Sequence, residues 1–202
     1  MNEKSDLDSG TATVAKRRSS PPPSLDVSGY GDLIERLAAQ KLNQRISNGV
    51  PAHAAILLET MFRHAEEEIR IYTGKLDGDT YAAPALIREA KRFLRRPGTC
   101  LRVLLQERRT VEWAKEQPFI KQLLDTPPGL GTFEVRCARG IYATDKAKHF
   151  SVMDGTGYRF EVDHAKTRAV ANFNEPEVAR DFSSAFDRAY EIADPDPLVV
   201  LS

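Results

Sequence analysis

Lys148-His149-Phe150-Ser151-Val152-Met153-Asp154-Gly155 opens on a strand-like run, His149–Met153, and closes on a tight turn. The turn chemistry continues through Asp154-Gly155-Thr156-Gly157, a pattern that favours a hairpin. Two more strand-like runs follow, Tyr158–Val162 and Arg168–Phe173, separated by a polar stretch at Asp163–Lys166. Asn174 then stands as a helix cap, Pro176 falls in the first turn, and Glu177 lies three residues past the cap. Val178, Phe182, Ala185, Phe186, Ala189 and Ile192 give that helix its expected buried face. Three strands in succession and one closing helix therefore occupy the last third.

Upstream of this block the pattern alternates. Ile69-Arg70-Ile71-Tyr72 is a short β-branched run ending in the Gly-rich loop 73–79. A helix follows with Ala83, Leu86, Ile87, Ala90, Phe93 and Leu94 inward, and Pro97-Gly98 stops it. Cys100–Leu105 is apolar nearly throughout, as a central strand is. A helix around Val111–Leu124 leads through Pro127-Pro128-Gly129 to a strand at Phe133–Cys137. Two helices come first. One starts at Ser28 as cap and carries Tyr30, Leu33, Ile34, Leu37, Ala38 and Leu42; the other runs from about Ala52 to Glu66. The order is two helices, βαβαβ, βββ and a closing helix, which predicts an α/β fold with a mixed sheet flanked by helices. The expected boundaries are a disordered tail over 1–27, an N-terminal helix over 28–50, the α/β domain over 51–195 and a C-terminal tail over 196–202.

Composition narrows the function classes. The 202 residues hold 29 Lys+Arg and 29 Asp+Glu, so the formal net charge is zero. No apolar run approaches the length of a membrane span, and the polar N-terminus lacks the apolar stretch of a secretory signal. The two cysteines, Cys100 and Cys137, lack zinc-site spacing, and a reduced cytoplasmic chain is the simplest expectation. Residues 1–27 carry almost no bulky apolar side chains, and Lys16-Arg17-Arg18 precedes Ser-Ser-Pro-Pro-Pro. Such a segment reads as a solvated tail, with a peptide-docking or nucleic-acid arm as the alternatives.

Three groups of residues are candidates for chemistry. Arg88, Lys91, Arg92 and Arg95 recur at helical spacing opposite the apolar face. Residues 88–109 hold eight Lys/Arg against two Glu, a net of +6, whereas 154–202 hold ten acidic and five basic residues, a net of −5. The asymmetry allows a nucleic-acid or phosphate surface, an acidic partner face, or merely a solvated helix. The second group sits beyond the strand ends, where α/β sheets collect ligands: Lys75 and Asp77 after the first strand, Gln106 after the second. The Walker spacing is absent there. The third group is the histidines. His53 and His64 read as structural, while His149 opens a strand that runs to Asp154. No Gly-x-Ser-x-Gly elbow, cofactor fingerprint or metal-ligand spacing is present, so no cofactor or metal is expected.

The run Lys148–Gly155, the two strands after it, and Asn172-Phe173-Asn174-Glu175-Pro176-Glu177 into a helix resemble the catalytic half of the phospholipase D superfamily. The preceding helix–strand pattern from about Ala54 is similar to one lobe of that fold, and the resemblance covers roughly residues 50–193. Active members use a histidine to attack phosphorus, a lysine two residues later, an aspartate five residues after the lysine, and a Gly-Ser-x-Asn segment further on. Placing Asp154 on that aspartate puts Ala147 at the nucleophile and His149 at the lysine, with Asp163-His164-Ala165-Lys166 in place of Gly-Ser-x-Asn. Alanine forms no phosphohistidine. The resemblance therefore implies a single-lobe, degenerate member lacking the His-x-Lys motif, similar to small bacterial proteins of this fold. It implies a non-catalytic binding or regulatory module acting with a protein partner or a second copy of itself; nucleic acid is the expected partner only through the basic helix 88–96, and without an apolar span no membrane partner is expected. The alternative it leaves open is a metal-independent phosphodiesterase or nuclease using His149 and Asp154.

Overall fold

Ile69 and Ile71 point to one side of their strand, and Val103 and Leu105 do the same on the next, so one face of a parallel pair is wholly apolar. The computed structural model describes residues 26–74, 76, 78–125, 131–144, 149–163 and 168–201. The first half contains α1 (Val27–Ala39), β1 (Ile46–Asn48), α2 (Pro51–His64), β2 (Glu68–Thr73), α3 (Gly78–Ala82) and α4 (Pro84–Leu94). Then come β3 (Cys100–Leu105), α5 (Val111–Glu116), α6 (Pro118–Leu124), β4 (Thr132–Cys137) and a 3-10 turn at Gly140–Tyr142. The chain continues through β5 (Phe150–Met153), β6 (Gly157–Asp163), β7 (Arg168–Asn172), α7 (Pro176–Glu191) and β8 (Val199–Leu201).

One mixed eight-stranded sheet results, in the order β1-β7-β6-β5-β2-β3-β4-β8. β2, β3 and β4 are parallel to each other, and every other pairing is antiparallel. The larger core lies on one face, where Ile69, Ile71, Leu101, Val103, Leu105, Phe133 and Val135 meet Leu57, Phe62, Leu86, Phe93 and Phe119 of the covering helices. The opposite face is covered by α7, whose Phe186 and Ala189 pack with Tyr72, Leu104, Phe150, Val152 and Tyr158. Each such fully buried large side chain contributes about 1.5–3 kcal/mol.

Several local expectations are corrected. Asp26, not Ser28, caps α1, its Oδ1 accepting from the Gly29 N–H at 2.7 Å. That helix stops at Ala39, and Lys41 takes φ 47°, so Leu42 does not extend its apolar stripe. Within the span 28–50 expected as an N-terminal helix, Ile46–Asn48 forms a short edge strand, β1, paired with β7. The single helix expected over Val111–Leu124 is two, because Pro118 forces Gln117 into extended backbone (ψ 123°). The Gln117 side chain then caps the second helix at the Ile120 N–H. Asn174 is not the cap of α7; Glu175 holds that position and turns its carboxylate to Arg45, Tyr158 and Asn172 instead. Finally, Val199–Leu201 in the expected C-terminal tail forms β8 beside β4. The expected N-terminal tail, through residue 25, lies outside the described residues.

Candidate functional site

The site is built where β2 and β3 end. Gln106 donates its N–H to the Thr73 carbonyl at 2.9 Å and Glu107 donates to the Gly74 carbonyl at 3.1 Å, so the parallel ladder runs one step past the strands. β5 runs against β2 with Phe150 opposite Tyr72, which sets His149 beside Thr73-Gly74. On the other side Phe150 faces Phe160, so His149 also stands across from Glu161, whose N–H donates to the His149 carbonyl at 2.9 Å. Register alone thus brings Gly74, Gln106, His149 and Glu161 together.

The imidazole is fixed at both nitrogens. Nε2 lies 3.0 Å from the Gly74 N–H and 3.1 Å from Gln106 Oε1; Nδ1 lies 3.3 Å from Glu161 Oε2. A backbone N–H only donates, so Nε2 must accept and the proton sits on Nδ1, facing the Glu161 carboxylate. That tautomer calls for the Gln106 amide to present its NH2 group to the ring, since two acceptors at that distance repel. Gly74 is required by space: a Cβ there would stand 3.2 Å from both Cε1 and Nε2 of His149.

Glu161 is held in turn. Along β6, Tyr158 and Phe160 pack under α7, while Arg159 and Glu161 take the other face. Arg159 is 4% exposed, and its Nη1 donates to Glu161 Oε1 at 2.8 Å. Burial alone would raise the Glu161 carboxyl, but hydrogen bonds from His149 and Arg159 and the guanidinium charge prevail and bring it down to about 2. The relay is therefore Arg159–Glu161–His149–Gly74. Near the rim, Glu107 pairs with Arg109, which lies 5.0 Å over the Trp113 ring. Cys137 accepts from the Arg109 N–H at 3.4 Å, and burial pushes its thiol pKa up, away from a reactive thiolate.

Of the residues the sequence singled out, His149 and Gln106 meet. Asp154 does not join them: it sits at the far end of β5, with φ 50°. Its carboxylate accepts from the N–H groups of Glu66 (2.7 Å), Glu67 (2.9 Å) and Glu68 (2.8 Å), fastening the α2–β2 connection. A catalytic pairing of His149 with Asp154 is therefore corrected by the length of the strand between them. Lys75, Asp77, Ala147, Lys148 and the 164–166 segment lie outside the described residues. His53 stacks on Tyr30 (centroids 3.8 Å) and His64 hydrogen-bonds Glu35 at 2.8 Å, both structural roles. In the basic stripe, Arg88 reaches Glu59 (3.7 Å) and Glu89 (3.3 Å), and Arg92 reaches Glu89 (3.5 Å). Lys91 meets the Gln122 amide oxygen at 2.9 Å. Half of that stripe is thus matched by carboxylates, Glu59 of α2 and the buried Glu89 of α4. Among the described residues no group of three or more His, Cys, Asp or Glu is placed to hold a metal ion.

Gly74, Arg159 and Glu161 were not legible as site residues. The signal was an Arg and a Glu alternating with two aromatics along β6, a pattern that buries a charge pair on one sheet face.

Residues 50–199 match the model of a domain of unknown function, DUF7931. The chain belongs to this family. No curated protein matches this chain. Among solved structures the DUF7931 chain is similar to TrmBL2, an archaeal chromatin protein with a novel mode of DNA binding (TM-score 0.54, 16% identity). That match covers 84% of this chain and 62% of TrmBL2, so this chain spans less than two thirds of that protein. It is also similar to NucT from Helicobacter pylori (TM-score 0.50, 11% identity, 75% of this chain and 98% of that one). A third similar structure is Nuc from Salmonella typhimurium, a phospholipase D family member (TM-score 0.48, 14% identity, 75% and 97% covered). At these identities the likeness is one of fold: a mixed α/β sheet with flanking helices.

Proposed function

We propose that this protein is a non-catalytic binding module on a phospholipase D-like scaffold, acting with a nucleic-acid or protein partner at the strand-end surface. One observation carries the reading. The His149 Nε2 lone pair, which a phosphorus-attacking histidine must present to substrate, is directed at the Gly74 N–H. Supporting it, Ala147 stands where the resemblance places the nucleophile. Asp154 is committed to three backbone N–H groups at the other end of β5. TrmBL2, which shares the fold, binds DNA, and this favours nucleic acid as the partner class.

A phosphodiesterase built on His149 is the second reading, favoured by the Glu161 carboxylate 3.3 Å from Nδ1, which orients the ring. Purified full-length protein is mixed with labelled DNA, RNA and phospholipid in EDTA. The module predicts no turnover, and DNA affinity that falls steeply as salt rises. Turnover that His149→Ala abolishes replaces the module with the enzyme. Salt-independent or absent DNA binding moves the partner to protein.

A further inference from the structure

After β4 the chain makes the tight turn Gly140–Tyr142, with Gly140 at φ 58°. Its hydrogen bonds leave it little freedom. The Tyr142 N–H donates to the Arg139 carbonyl and the Ala143 N–H to the Gly140 carbonyl, both at 3.2 Å. The Thr144 hydroxyl donates to the Ile141 carbonyl at 3.3 Å, and the Tyr72 hydroxyl to the Tyr142 carbonyl at 2.7 Å. That last bond draws the turn from β4 across β3 to the end of β2, beside the His149 site. What the turn holds out is Ile141, 77% exposed and the most exposed large apolar side chain among the described residues. A lone exposed isoleucine carries no message by itself. Its setting does.

The setting is cationic. Arg139 leads into the turn, and the Arg108 loop lies against the end of β4. There Cys137 accepts from the Arg109 N–H at 3.4 Å, and the Ala138 N–H donates to the Leu105 carbonyl at 2.7 Å. Arg108 and Arg139 are exposed and have no ion pair among the described residues. The Glu107 carboxylate is taken by Arg109, whose guanidinium also lies over the Trp113 ring. The loop's other carboxylate, Glu112, is held in the first turn of α5. Arg109 is thus committed within the chain, while Arg108 and Arg139 are open to an outside anion.

We propose, resting on the nucleic-acid reading of the strand-end surface, that Arg108, Arg139 and Ile141 form a contact for single-stranded nucleic acid. The arginines hold two phosphates, and Ile141 lies against a base. Two open guanidinium groups select an anionic partner, and a nucleotide strand supplies anion and apolar face side by side. A duplex fits less well. Ile141 would have to part stacked base pairs to reach an apolar surface, a cost that one isoleucine and two phosphate contacts do not return. Unpaired bases present their faces freely.

Fluorescence anisotropy of the full chain with a labelled mixed-sequence DNA strand of about 15 nucleotides, and with the same sequence as duplex, tests this. The strand should bind about tenfold or more tightly than the duplex. Arg108→Ala and Arg139→Ala should each flatten the plot of log K against log salt by about 0.7, one phosphate contact on a single strand. Ile141→Ser should weaken binding about tenfold with that slope unchanged. All three side chains are exposed, so the variants should unfold at the wild-type thermal midpoint. Wild-type protein that binds neither probe removes the nucleic-acid reading and this contact with it. Binding that the three variants leave intact keeps the reading and overturns the contact, and loss on Arg95→Gln instead moves the interface to α4. A preference for the duplex overturns it as well. So does Ile141→Ser that binds the strand as wild type does, which assigns the isoleucine to a protein partner.

Discussion

Replacing Glu161 by Gln removes a charge and almost no volume, and it leaves the Arg159 guanidinium 4% exposed without its carboxylate. Breaking a buried pair from one side costs about 3–5 kcal/mol. A second route gives a similar figure: Glu161 is held from 4.5 down to about 2, and at 1.36 kcal/mol per unit this is about 3 kcal/mol. With a urea slope of about 2 kcal/mol/M, the midpoint of Glu161→Gln should fall by about 1.5 M at pH 7. The sign with pH follows from a depressed carboxyl. Its contribution is fully present above pH 4.5 and is lost as pH falls through 2, so the gap between wild type and Glu161→Gln should roughly halve at pH 3. Arg159→Met combined with Glu161→Gln should recover most of the loss, because no charge is then left buried alone. Equilibrium urea curves at pH 7 and pH 3 decide the matter. A gap under about 1 kcal/mol at pH 7, or one that does not change by pH 3, refutes the buried relay.

Gly74→Ala should cost about 1–2 kcal/mol, because its Cβ would stand 3.2 Å from the His149 ring. The same substitution made in His149→Ala should cost little more, a coupling that a double-mutant cycle of thermal or urea unfolding measures. Asp154→Ala should destabilise by about 3 kcal/mol through three lost N–H acceptors, with Asp154→Asn losing less. Partner binding by the folded Asp154 variants should remain at the wild-type level in a titration, since that carboxylate lies at the other end of the sheet.

The parallel core was plain in the sequence because Cys100–Leu105 is apolar nearly throughout and Ile69–Tyr72 is β-branched. β5, β6 and β7 were plain because Asp154–Gly157 and the polar stretch after β6 punctuate them. The edge strands were not. Ile46–Asn48 and Val199–Leu201 are three residues each, too short for any period, and they exist only because β7 and β4 offer them partners. At the site, His149 and Gln106 were visible as polar residues at strand ends. Their juxtaposition depends on the β2–β5 register, and a single residue of slip would send His149 to the other face. Asp154 was misplaced for a related reason: five residues are neighbours in sequence but opposite ends of a strand. The arginines of α4 were visible as a stripe, while the carboxylates that match two of them come from another helix and from the stripe's own buried Glu89.

His149 Nε2 is turned to the Gly74 N–H, and the proposed module requires that it not attack phosphorus. Full-length protein incubated with a reactive phosphodiester, quenched in alkaline denaturant and weighed intact, tests this most directly. The unmodified mass, with no phosphorylated histidine peptide after digestion, is the expected result. A covalent phosphate adduct on His149, absent from His149→Ala, would contradict it.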